Sequence, residues 1–438
     1  MPLIGTRGAA SAQGFGMFAA VGLPAYLASL YTGIGSSSAV DSSSNAYTYG
    51  WISSTGNVTL AKYNSGGTLQ WEKEVATSGA IFNRVTTDSA GNVLTATPFS
   101  SSQLQVTKLD SSGTAVWQKR VNGWTPGCSG VNVQCAAIAT DTSNNVYVAT
   151  PVYQSCEYIL SVLKLDSSGA MQWSRKVFTG LQASEVVGVA SNSSGDVYAV
   201  CGHSVGGAYR GLLVKYNTSG TLQWQRSMVG DTASNNYLRD VAVDSSGNVY
   251  VTGISNWGGA SQRMFVAKYD SSGTNLWARE LYSGSVPVLS YGLAVDSSGN
   301  VYACGYFPYS YIMCMAKWNS SGVIQWQRQL VTTGTRKTYG YDVSVGPDGL
   351  PVFIGYSTNS SNADQKYLVA KLPADGSKTG TYTLAGDSYT YSATTFTEAA
   401  FAGTLANGGA SSTTLGLASS NNTQTVTNSS MTSAVTLI

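Results

Sequence analysis

The stretch LRDVAVDSSGNVYVTGISNWGGASQRMFVAKYDSSGTNLWARE, residues 238–280, decides the fold of this chain. It contains two Asp-Ser-Ser-Gly turns, which begin at Asp244 and Asp270. The Asp of such a turn bonds its own backbone two residues on, and the Gly accepts a positive φ. The segment RMFVAKYD before the second turn alternates with the period of two that a half-buried strand requires. The stretch therefore predicts a four-stranded antiparallel meander.

The same pattern recurs along most of the chain, about every 50 residues. Each copy has a lysine at the end of an apolar run, and a glycine follows it five residues later. The lysines are Lys62, Lys108, Lys164, Lys215, Lys268, Lys317 and Lys371. Nine residues after the first six lysines stand Trp71, Trp117, Trp173, Trp224, Trp277 and Trp326. Units of this length stack radially, so seven copies predict an all-β chain with a seven-bladed β-propeller over residues 34–384.

The repeated residues are predicted to be structural. A residue that every blade needs identically maintains the blade, whereas catalysis requires an asymmetric site. We expect each repeated Trp to be a packing anchor between neighbouring blades. The repeated Lys, and the Lys or Arg two residues after each Trp, are expected to belong to the same scaffold.

Composition excludes several classes of partner and site. Only 11% of the 438 residues are charged, against roughly 25% in an average domain, and the net charge is +2. This gives no field for attracting nucleic acid or an anionic membrane. The single histidine, His203, and nearby Cys201 fall short of the ligands that zinc requires, so we predict no metal and no cofactor. Cys128 and Cys135, or Cys304 and Cys314, form disulfides or are small buried side chains; the sequence leaves both open.

No linear catalytic motif occurs, which predicts that the chain is not an enzyme. One question stays open, because paired carboxylates that meet across a central channel would allow glycoside hydrolysis. The carboxylates outside the repeat are Glu157, Glu185, Asp231, Asp240, Asp342, Asp364, Asp387 and Glu398. Clustered carboxylates with a basic residue in the channel would favour an enzyme, and a channel filled by Val and Ala would disfavour one.

Function is expected where the copies differ, because loops tolerate variation that stacked strands do not. In each blade the first and third turns are short and emerge together, on what we call the turn face. The long variable loops and the crossovers between blades meet on the opposite, loop face. Candidate binding residues there are Trp51, Trp124, Tyr153, Tyr209, Trp257, Tyr306, Tyr309 and Tyr339, with Arg210, Arg263, Arg336 and Lys337 nearby. These aromatics suit sugar stacking or a protein interface, or else they cover the ends of the blade cores.

The repeat resembles bacterial seven-bladed β-propeller repeats that contain D-x-x-G-N-x-Y-V-T-G followed by K-Y-D-x-x-G-x-x-x-W. The resemblance spans residues 34–384 and supports the predicted fold. It does not select a function, because propellers include both binding modules and enzymes.

The two ends lie outside the repeat. Residues 1–33 carry one charged side chain, Arg7, and their apolar run is interrupted by glycines and a proline, so we expect neither a secretory signal nor a membrane span. Residues 385–438 are rich in Ser, Thr and Ala and contain no Lys or Arg. Such a tail is predicted to lie against a neighbouring sheet by strand addition or within an oligomer.

The opening PLIGTRGAASAQGFG, residues 2–16, resembles the N-terminal arm of structural proteins of tailed bacteriophages, particularly marine ones. The resemblance implies a virion component that is assembled in the host cytoplasm and contacts other virion proteins through residues 1–33 and 385–438. A tail fibre, spike or adaptor is expected, as a homo-oligomer within a symmetric particle, with its loop face against host-surface polysaccharide or another virion protein. The alternatives are a capsid decoration protein and a secreted adhesion or polysaccharide-degrading propeller.

Overall fold

The computed structural model describes residues 25–31, 34–51, 58–75, 84–122, 132–133, 135–154, 157–180, 187–205, 208–229, 236–256, 262–284, 286–332, 334–384, 386–400, 404–407, 412–414, 418–421, 426–428 and 433–437. Every regular element among them is a β-strand, and the strands form seven separate antiparallel sheets. Within this part of the chain no helix has the length and apolar character that crossing a membrane demands.

Each sheet is a blade of four strands in chain order from the inside of the propeller outward. Blades 1 to 3 contain β2 (Ile34–Val40), β3 (Ala46–Trp51), β4 (Val58–Tyr63), β5 (Leu69–Val75), β6 (Val85–Thr87), β7 (Val93–Ser100), β8 (Gln103–Leu109), β9 (Ala115–Asn122), β11 (Ala137–Thr140), β12 (Val146–Gln154), β13 (Glu157–Leu165) and β14 (Met171–Gly180). A short strand, β10 (Asn132–Val133), also pairs with β12.

Blades 4 to 6 follow the same plan. Their strands are β15 (Gly188–Ser191), β16 (Val197–Val205), β17 (Ala208–Tyr216), β18 (Leu222–Val229), β19 (Tyr237–Val243), β20 (Val249–Ser255), β21 (Arg263–Tyr269), β22 (Asn275–Tyr282), β23 (Leu289–Val295), β24 (Val301–Phe307), β25 (Ile312–Trp318) and β26 (Ile324–Thr332).

Blade 7 joins the two ends of the propeller. It contains β27 (Lys337–Val345), β28 (Pro351–Thr358) and β29 (Gln365–Lys371), and its fourth strand is β1 (Tyr26–Tyr31) from near the N-terminus. Tyr26 pairs with Lys371 as Trp71 pairs with Lys62 in blade 1. Tyr26 therefore occupies the position of the tryptophan that the seventh copy lacks.

The C-terminal segment adds a further strand to the outer edge of every blade. These strands are β31 (Asp387–Ala393), β32 (Thr397–Ala400), β33 (Thr404–Asn407), β34 (Ser412–Thr414), β35 (Ala418–Asn421), β36 (Val426–Asn428) and β37 (Ser433–Leu437). They pair with blades 6, 5, 4, 3, 2, 1 and 7 in that order, and β30 (Gly380–Leu384) forms a hairpin with β31. The tail thus travels once around the propeller, against the direction of the blades.

The predicted fold class, an all-β seven-bladed propeller of four-stranded blades, is confirmed. β1 lies within the segment predicted as an arm, because its backbone completes the ladder of blade 7. The tail was predicted to lie against a neighbouring sheet by strand addition or within an oligomer, and its described strands add to the edges of this chain's own blades. The expected contacts of both ends with other virion proteins stay a prediction. Residues 1–24, which carry the phage resemblance, lie outside the described residues.

The turn face locks neighbouring blades together by one repeated set of contacts. Between blades 5 and 6, Trp277 Nε1 and Lys268 Nζ both donate to the Ser320 carbonyl, each at 3.2 Å. Gly322 of the same turn has φ +76° and lies against the Trp277 ring, where a Cβ would come within 2.6 Å. Arg279 Nε donates to the Gly322 carbonyl at 2.9 Å. Trp71, Trp117, Trp173, Trp224 and Trp326 each make the same indole hydrogen bond to the next blade.

The described cysteines are free thiols. Cys135, Cys201, Cys304 and Cys314 are buried. Cys304 and Cys314 lie on adjacent strands but are offset, since Cys314 pairs with Gly305, and no disulfide joins them. Cys128 lies outside the described residues.

Candidate functional site

The inner strands present one equivalent position of each blade to the central channel, four residues before the first turn of the blade begins. From blade 1 to blade 7 this ring contains Ser37, Arg84, Ala137, Gly188, Asp240, Gly292 and Asp342. Unlike the turn face, the ring differs from blade to blade. It is therefore the asymmetric position that a specific site requires.

Arg84 joins both ring aspartates inside the channel. Its Nη1 lies 2.5 Å from Asp342 Oδ1 and 3.2 Å from Asp240 Oδ2. Its Nη2 donates to the Tyr291 carbonyl at 3.1 Å. Asp342 Oδ2 also accepts from the Ser37 hydroxyl at 2.8 Å. This ionic cluster of Arg84, Asp240 and Asp342 connects the inner strands of blades 1, 2, 5, 6 and 7.

The small residues of the ring make room for the two carboxylates. A Cβ at Gly188 would lie 2.8 Å from the Asp240 Cα, and a Cβ at Gly292 would lie 2.4 Å from the Asp342 Cα. Each glycine stands one blade before the aspartate that it accommodates. Glycine is therefore required at these two positions by close packing rather than by backbone angle.

All four carboxylate oxygens of the ionic cluster already have partners. Asp240 Oδ1 accepts from Val241 N and its Oδ2 from Leu293 N. Asp342 Oδ1 accepts from Val343 N. Burial raises the pKa of the Asp240 carboxyl from 3.8 to about 7; Arg84 opposes this rise and the charge of Asp342 adds to it. Because its oxygens are occupied, the pair does not offer the free acid and nucleophile of a glycosidase.

The channel holds a small cavity of about 120 Å³ beside the ionic cluster. The cluster, Ser37 and Ser38 form its polar walls. Its apolar walls are Val85, Ala137, Ile138, Val189, Leu293 and Val343. The sequence left open whether the channel contains clustered carboxylates with a basic residue, which would favour an enzyme, or apolar side chains, which would disfavour one. The structure has both, because the two carboxylates and Arg84 lie beside a wall of apolar side chains.

β-Bulges direct side chains toward the loop face immediately beside this ring. The ladders skip one residue between Gly35 and Ser37, Leu238 and Asp240, Ser290 and Gly292, and Gly340 and Asp342. The skipped residues are Ser36, Arg239, Tyr291 and Tyr341. A bulge bends its strand and redirects a side chain, a device that recurs next to active sites. Four adjacent blades, 5, 6, 7 and 1, carry it.

Six tyrosines pack together at the loop-face ends of blades 6 and 7. We call this set, Tyr291, Tyr306, Tyr311, Tyr339, Tyr341 and Tyr356, the tyrosine surface. Tyr306, Tyr311 and Tyr356 are partly exposed, whereas Tyr291, Tyr339 and Tyr341 are buried beneath them, at 7–8% exposure. The rings of Tyr339 and Tyr356 stack with centroids 4.4 Å apart, and those of Tyr291 and Tyr306 with centroids 5.5 Å apart. Edge contacts of 4.9 Å between Tyr306 and Tyr339 and of 5.0 Å between Tyr291 and Tyr341 connect the two stacks.

A cation lies against each end of the tyrosine surface. The Arg239 guanidinium lies 4.0 Å from the ring centroid of Tyr291, and Lys337 Nζ lies 4.3 Å from that of Tyr311. Both cations are only partly buried. Positive charge over an aromatic face leaves the remaining donors available to an anionic ligand.

Four phenols of this surface stay protonated at neutral pH and are therefore donors. Burial raises the pKa of Tyr306, Tyr339, Tyr341 and Tyr356. Neighbouring phenols add to the rise for the first three, whereas hydrogen bonds with Tyr341 and Tyr339 partly offset it for Tyr356. Tyr311 adopts a left-handed backbone, with φ +53°. Its carbonyl accepts from Thr338 N at 2.7 Å, which holds this unusual conformation against blade 7.

The structure brings together some of the predicted binding residues. Tyr306 and Tyr339 belong to the tyrosine surface, and Trp51 packs against the same cluster from blade 1. The rings of Tyr209 and Tyr237 are tilted against each other with their centroids 5.2 Å apart. Tyr309, on the turn between β24 and β25, is 75% exposed, more than any other large hydrophobic side chain among the described residues.

The remaining predicted residues lie elsewhere. Tyr153 stands near the end of β12 in blade 3, paired with Tyr158 and Asn132, away from blades 6 and 7. Trp124 and Trp257 lie outside the described residues. His203 pairs with Arg210 across β16 and β17. In the described part of the chain, no group of three or more His, Cys, Asp or Glu is arranged to hold a metal ion.

Two of the cations expected near the site are held by carboxylates instead. Arg263 Nη1 lies 2.8 Å from Glu280 Oε2 in blade 5. Arg336 Nη1 lies 2.6 Å from Asp364 Oδ2, and its Nε lies 3.3 Å from Asp387 Oδ2 on the first tail strand. These arginines stabilise the loops and the start of the tail.

Sequence reasoning missed Arg84, Arg239, Tyr291, Tyr341 and Tyr356. A signal for Arg84 was present, because aligning the seven copies on the first residue of their first turn shows a ring position that changes from Ser to Arg, Ala, Gly and Asp. The bulges carried no such signal. They are produced by pairing between strands, which a single repeat does not reveal.

No family model matches this chain, and no curated protein matches it. Among solved structures, an ulvan lyase of polysaccharide lyase family 25, bound to -[GlcA(1-4)Rha3S]-, is 8% identical with a TM-score of 0.49; the match covers 78% of this chain and 94% of that one. The polysaccharide lyase Uly1 is 9% identical with a TM-score of 0.47, covering 78% and 90%. A Trypanosoma rangeli sialidase is 10% identical with a TM-score of 0.42, covering 72% and 57%. None of these is a phage protein.

These matches show the fold alone, and they correct one prediction. The chain was expected not to be an enzyme because no linear motif occurs in it. Solved propellers that match it include polysaccharide lyases and a sialidase, so a missing linear motif does not exclude an enzyme, and the inference drawn from it is wrong. In a propeller the reacting groups come from several blades, and their spacing along the chain therefore does not form a motif. The phage resemblance of residues 2–16 stays a prediction.

Proposed function

We propose that this chain is a polysaccharide-degrading propeller that binds an acidic polysaccharide on the tyrosine surface. The observation that carries the proposal is a contiguous group of six tyrosines with Arg239 and Lys337 at its two ends. The partly exposed rings of Tyr306, Tyr311 and Tyr356 give a sugar ring an apolar face to stack on, while their hydroxyls bond its edge. The cations then select a sugar that carries a carboxylate.

Two of the groups needed for elimination at a uronate are present. In that reaction a base removes the proton at C5, the C4–O bond breaks, a C4=C5 double bond forms, and the leaving oxygen takes up a proton. Arg239 supplies positive charge for the carboxylate, whose charge grows as C5 loses its proton. The protonated phenols of the tyrosine surface supply a donor for the leaving oxygen.

Hydrolysis by a carboxylate pair is less well supported by the same geometry. Asp240 and Asp342 share Arg84 inside the channel, and each of their oxygens accepts a hydrogen bond. Elimination is therefore the reaction to test first.

The test is to mix the purified chain with polygalacturonate, alginate and a glucuronate-containing polysaccharide, with a neutral glucan as control. We expect retention of the chain in gels that contain an acidic polymer, together with a rise in the ultraviolet absorbance of unsaturated uronate. New reducing ends without that absorbance would indicate hydrolysis. No retention and no cleavage with any acidic polymer would overturn the proposal.

A matched pair of arginine variants locates the site. Arg239→Gln removes the cation beside Tyr291, whereas Arg226→Gln removes one on the turn face, where Arg226 donates to Gly273 and Ser272 of the next blade. We expect only Arg239→Gln to abolish retention by acidic polymers. Equal losses in both variants would assign the effect to stability.

Location in a virion is a separate proposal. A polysaccharide-degrading propeller would serve a phage tail by opening host-surface polysaccharide, with residues 1–33 as its attachment. Electron cryo-microscopy of purified particles tests this, since it shows whether the chain is present and where.

A further inference from the structure

We propose that Arg84 is a positioning residue of the tyrosine surface, which holds the bulge of blade 6 and thereby the ring of Tyr291. The inference rests on the proposed function for its consequence in binding, but its structural part stands on contacts of the described residues. Arg84 lies in blade 2 and does not belong to the tyrosine surface. It acts through the backbone of a residue that does.

The contact between the two sites is one hydrogen bond. Arg84 Nη2 donates to the Tyr291 carbonyl at 3.1 Å. Tyr291 is the residue that the ladder between β23 and β24 skips, so the bond from Arg84 reaches the strand at its bulge. Its ring is the one that contacts Arg239, Tyr306 and Tyr341.

The guanidinium is held from the opposite side by the ionic cluster. Asp342 and Asp240 both bind Nη1, and together they keep the pKa of Arg84 above its usual value although burial lowers it. The Arg84 backbone is fixed as well, because its N–H donates to the Ala136 carbonyl of blade 3 at 3.0 Å. Both ends of the side chain are therefore fixed in place.

The composition of the cluster indicates a role other than stability. Removing charges from water is costly, and a buried ionic group is often replaced by apolar residues without loss of stability. The other members of the ring include Ala137, Gly188 and Gly292, which shows that small uncharged residues fit at this position. Arg84, Asp240 and Asp342 form the one charged set among the seven equivalents, and it contacts the blade that carries Tyr291.

The experiment compares three variants of the full chain. Arg84→Met alone leaves two buried carboxylates without their cation and risks misfolding, so the triple variant Arg84→Met, Asp240→Asn, Asp342→Asn removes all three charges together. Arg84→Lys keeps the charge but replaces the planar fork, which spans two partners, with a point charge. Arg175→Met is the control, since Arg175 donates to the Gly220 carbonyl at 2.6 Å in the turn-face lock.

Two readouts separate positioning from stability. We expect the triple variant to melt close to the unmodified chain, yet to show a changed near-ultraviolet circular dichroism of its tyrosines and faster amide exchange in β23. Its retention by acidic polysaccharide should fall about tenfold or more, the effect of misplacing a contact group. The retention of Arg84→Lys should lie between that of the unmodified chain and that of the triple variant. Arg175→Met should lower the melting temperature and leave retention, tyrosine dichroism and exchange in β23 unchanged.

The outcomes for the two proposals are distinguishable. Unchanged tyrosine dichroism and unchanged exchange in β23 of a folded triple variant would overturn the role of Arg84. If the unmodified chain binds no acidic polysaccharide, the proposed function fails, and the spectroscopic comparison still decides whether Arg84 positions Tyr291.

Discussion

The two faces of the propeller are formed by opposite ends of the same strands, and they differ in how far their residues repeat from blade to blade. On the turn face, blades 1, 3, 4, 5 and 6 repeat one lock, in which a Trp and a Lys reach the same carbonyl of the next blade's turn. Blade 2 keeps the Trp contact while Lys108 pairs with Asp88, and Tyr26 replaces the Trp in blade 7. On the loop face, blades 5, 6, 7 and 1 have bulged inner strands. Strand β24 shows both kinds of residue within five positions, with Tyr302 against the turn-face Trp326 and Tyr306 in the tyrosine surface.

This difference separates contacts that stabilise the propeller from features that a binding site requires. The repeated locks combine ring packing and hydrogen bonds to carbonyls with buried ion pairs such as Lys108–Asp88 and Lys371–Asp348, and they stabilise the interfaces between blades. The channel and the loop face instead hold features that differ from blade to blade, namely the Arg84–Asp240–Asp342 cluster, the bulges beside it and the left-handed Tyr311. Such costly features persist where a site needs them. Four tests follow, ordered from the largest expected effect to the smallest.

The turn-face lock predicts that Tyr26→Ala will be as damaging as Trp277→Ala. Tyr26 is fully buried and lies against Gly67, as Trp277 lies against Gly322. Each substitution removes a large ring from a closed interface and should lower the free energy of unfolding by about 3–5 kcal/mol. Denaturant unfolding measures this. A small loss for Tyr26→Ala would show that β1 does not close the ring as the other locks do.

The turn face and the channel should also respond oppositely to pH. The pKa of Asp166, a turn-face carboxyl, is lowered by the Ser168 hydroxyl, so its contribution to stability is lost as the pH falls below 3.8. Asp240 is the reverse case, because its folded pKa of about 7 exceeds its ordinary 3.8. The folded state therefore binds the extra proton, and stability should decrease as the pH rises from 3.8 to about 7.

Unfolding of Asp240→Asn across the same pH range checks this sign. The groups that face Asp240 are Arg84, Asp342 and Cys304. Asp240→Asn keeps the shape but has no proton to bind, so the slope between 3.8 and about 7 should become flatter. An identical slope in both chains would refute the raised pKa of Asp240.

Tyr306→Ala should weaken polysaccharide retention about tenfold, through the loss of one aromatic contact and one donor. Tyr302→Phe on the same strand is its control, since Tyr302 bonds Asp296 on the turn face. Affinity electrophoresis of the two variants gives the comparison. If retention falls equally for both, the loop face is not the binding face.

The smallest effect is expected at Tyr309. Its ring is 75% exposed, so Tyr309→Ala should change the free energy of unfolding by no more than about 0.5 kcal/mol. A ligand that reaches beyond the tyrosine surface would gain a weak contact there, worth roughly twofold in retention. Loss of binding as large as that of Tyr306→Ala would move the centre of the site outward to the β24–β25 turn.

The fold was predictable because the same strand and turn pattern occurs seven times in the sequence. The spacing of Lys268, Gly273 and Trp277 already contains the lock, since period-two strands and Asx turns are local. The site was predictable only in part. Tyr306 and Tyr339 were found because they depart from the repeat, whereas Tyr341 and Tyr356 were overlooked among 27 tyrosines.

The sequence by itself determined the number of blades, their strands and the turn-face lock, because these depend on contacts within a repeat or between adjacent repeats. Only the tertiary structure decided which residues share the channel. Arg84 meets Asp342 across 258 positions of chain, and Tyr26 meets Lys371 by closing the circle. The path of the tail around all seven blades was likewise not readable, because an unpaired strand edge accepts any extended backbone regardless of its side chains.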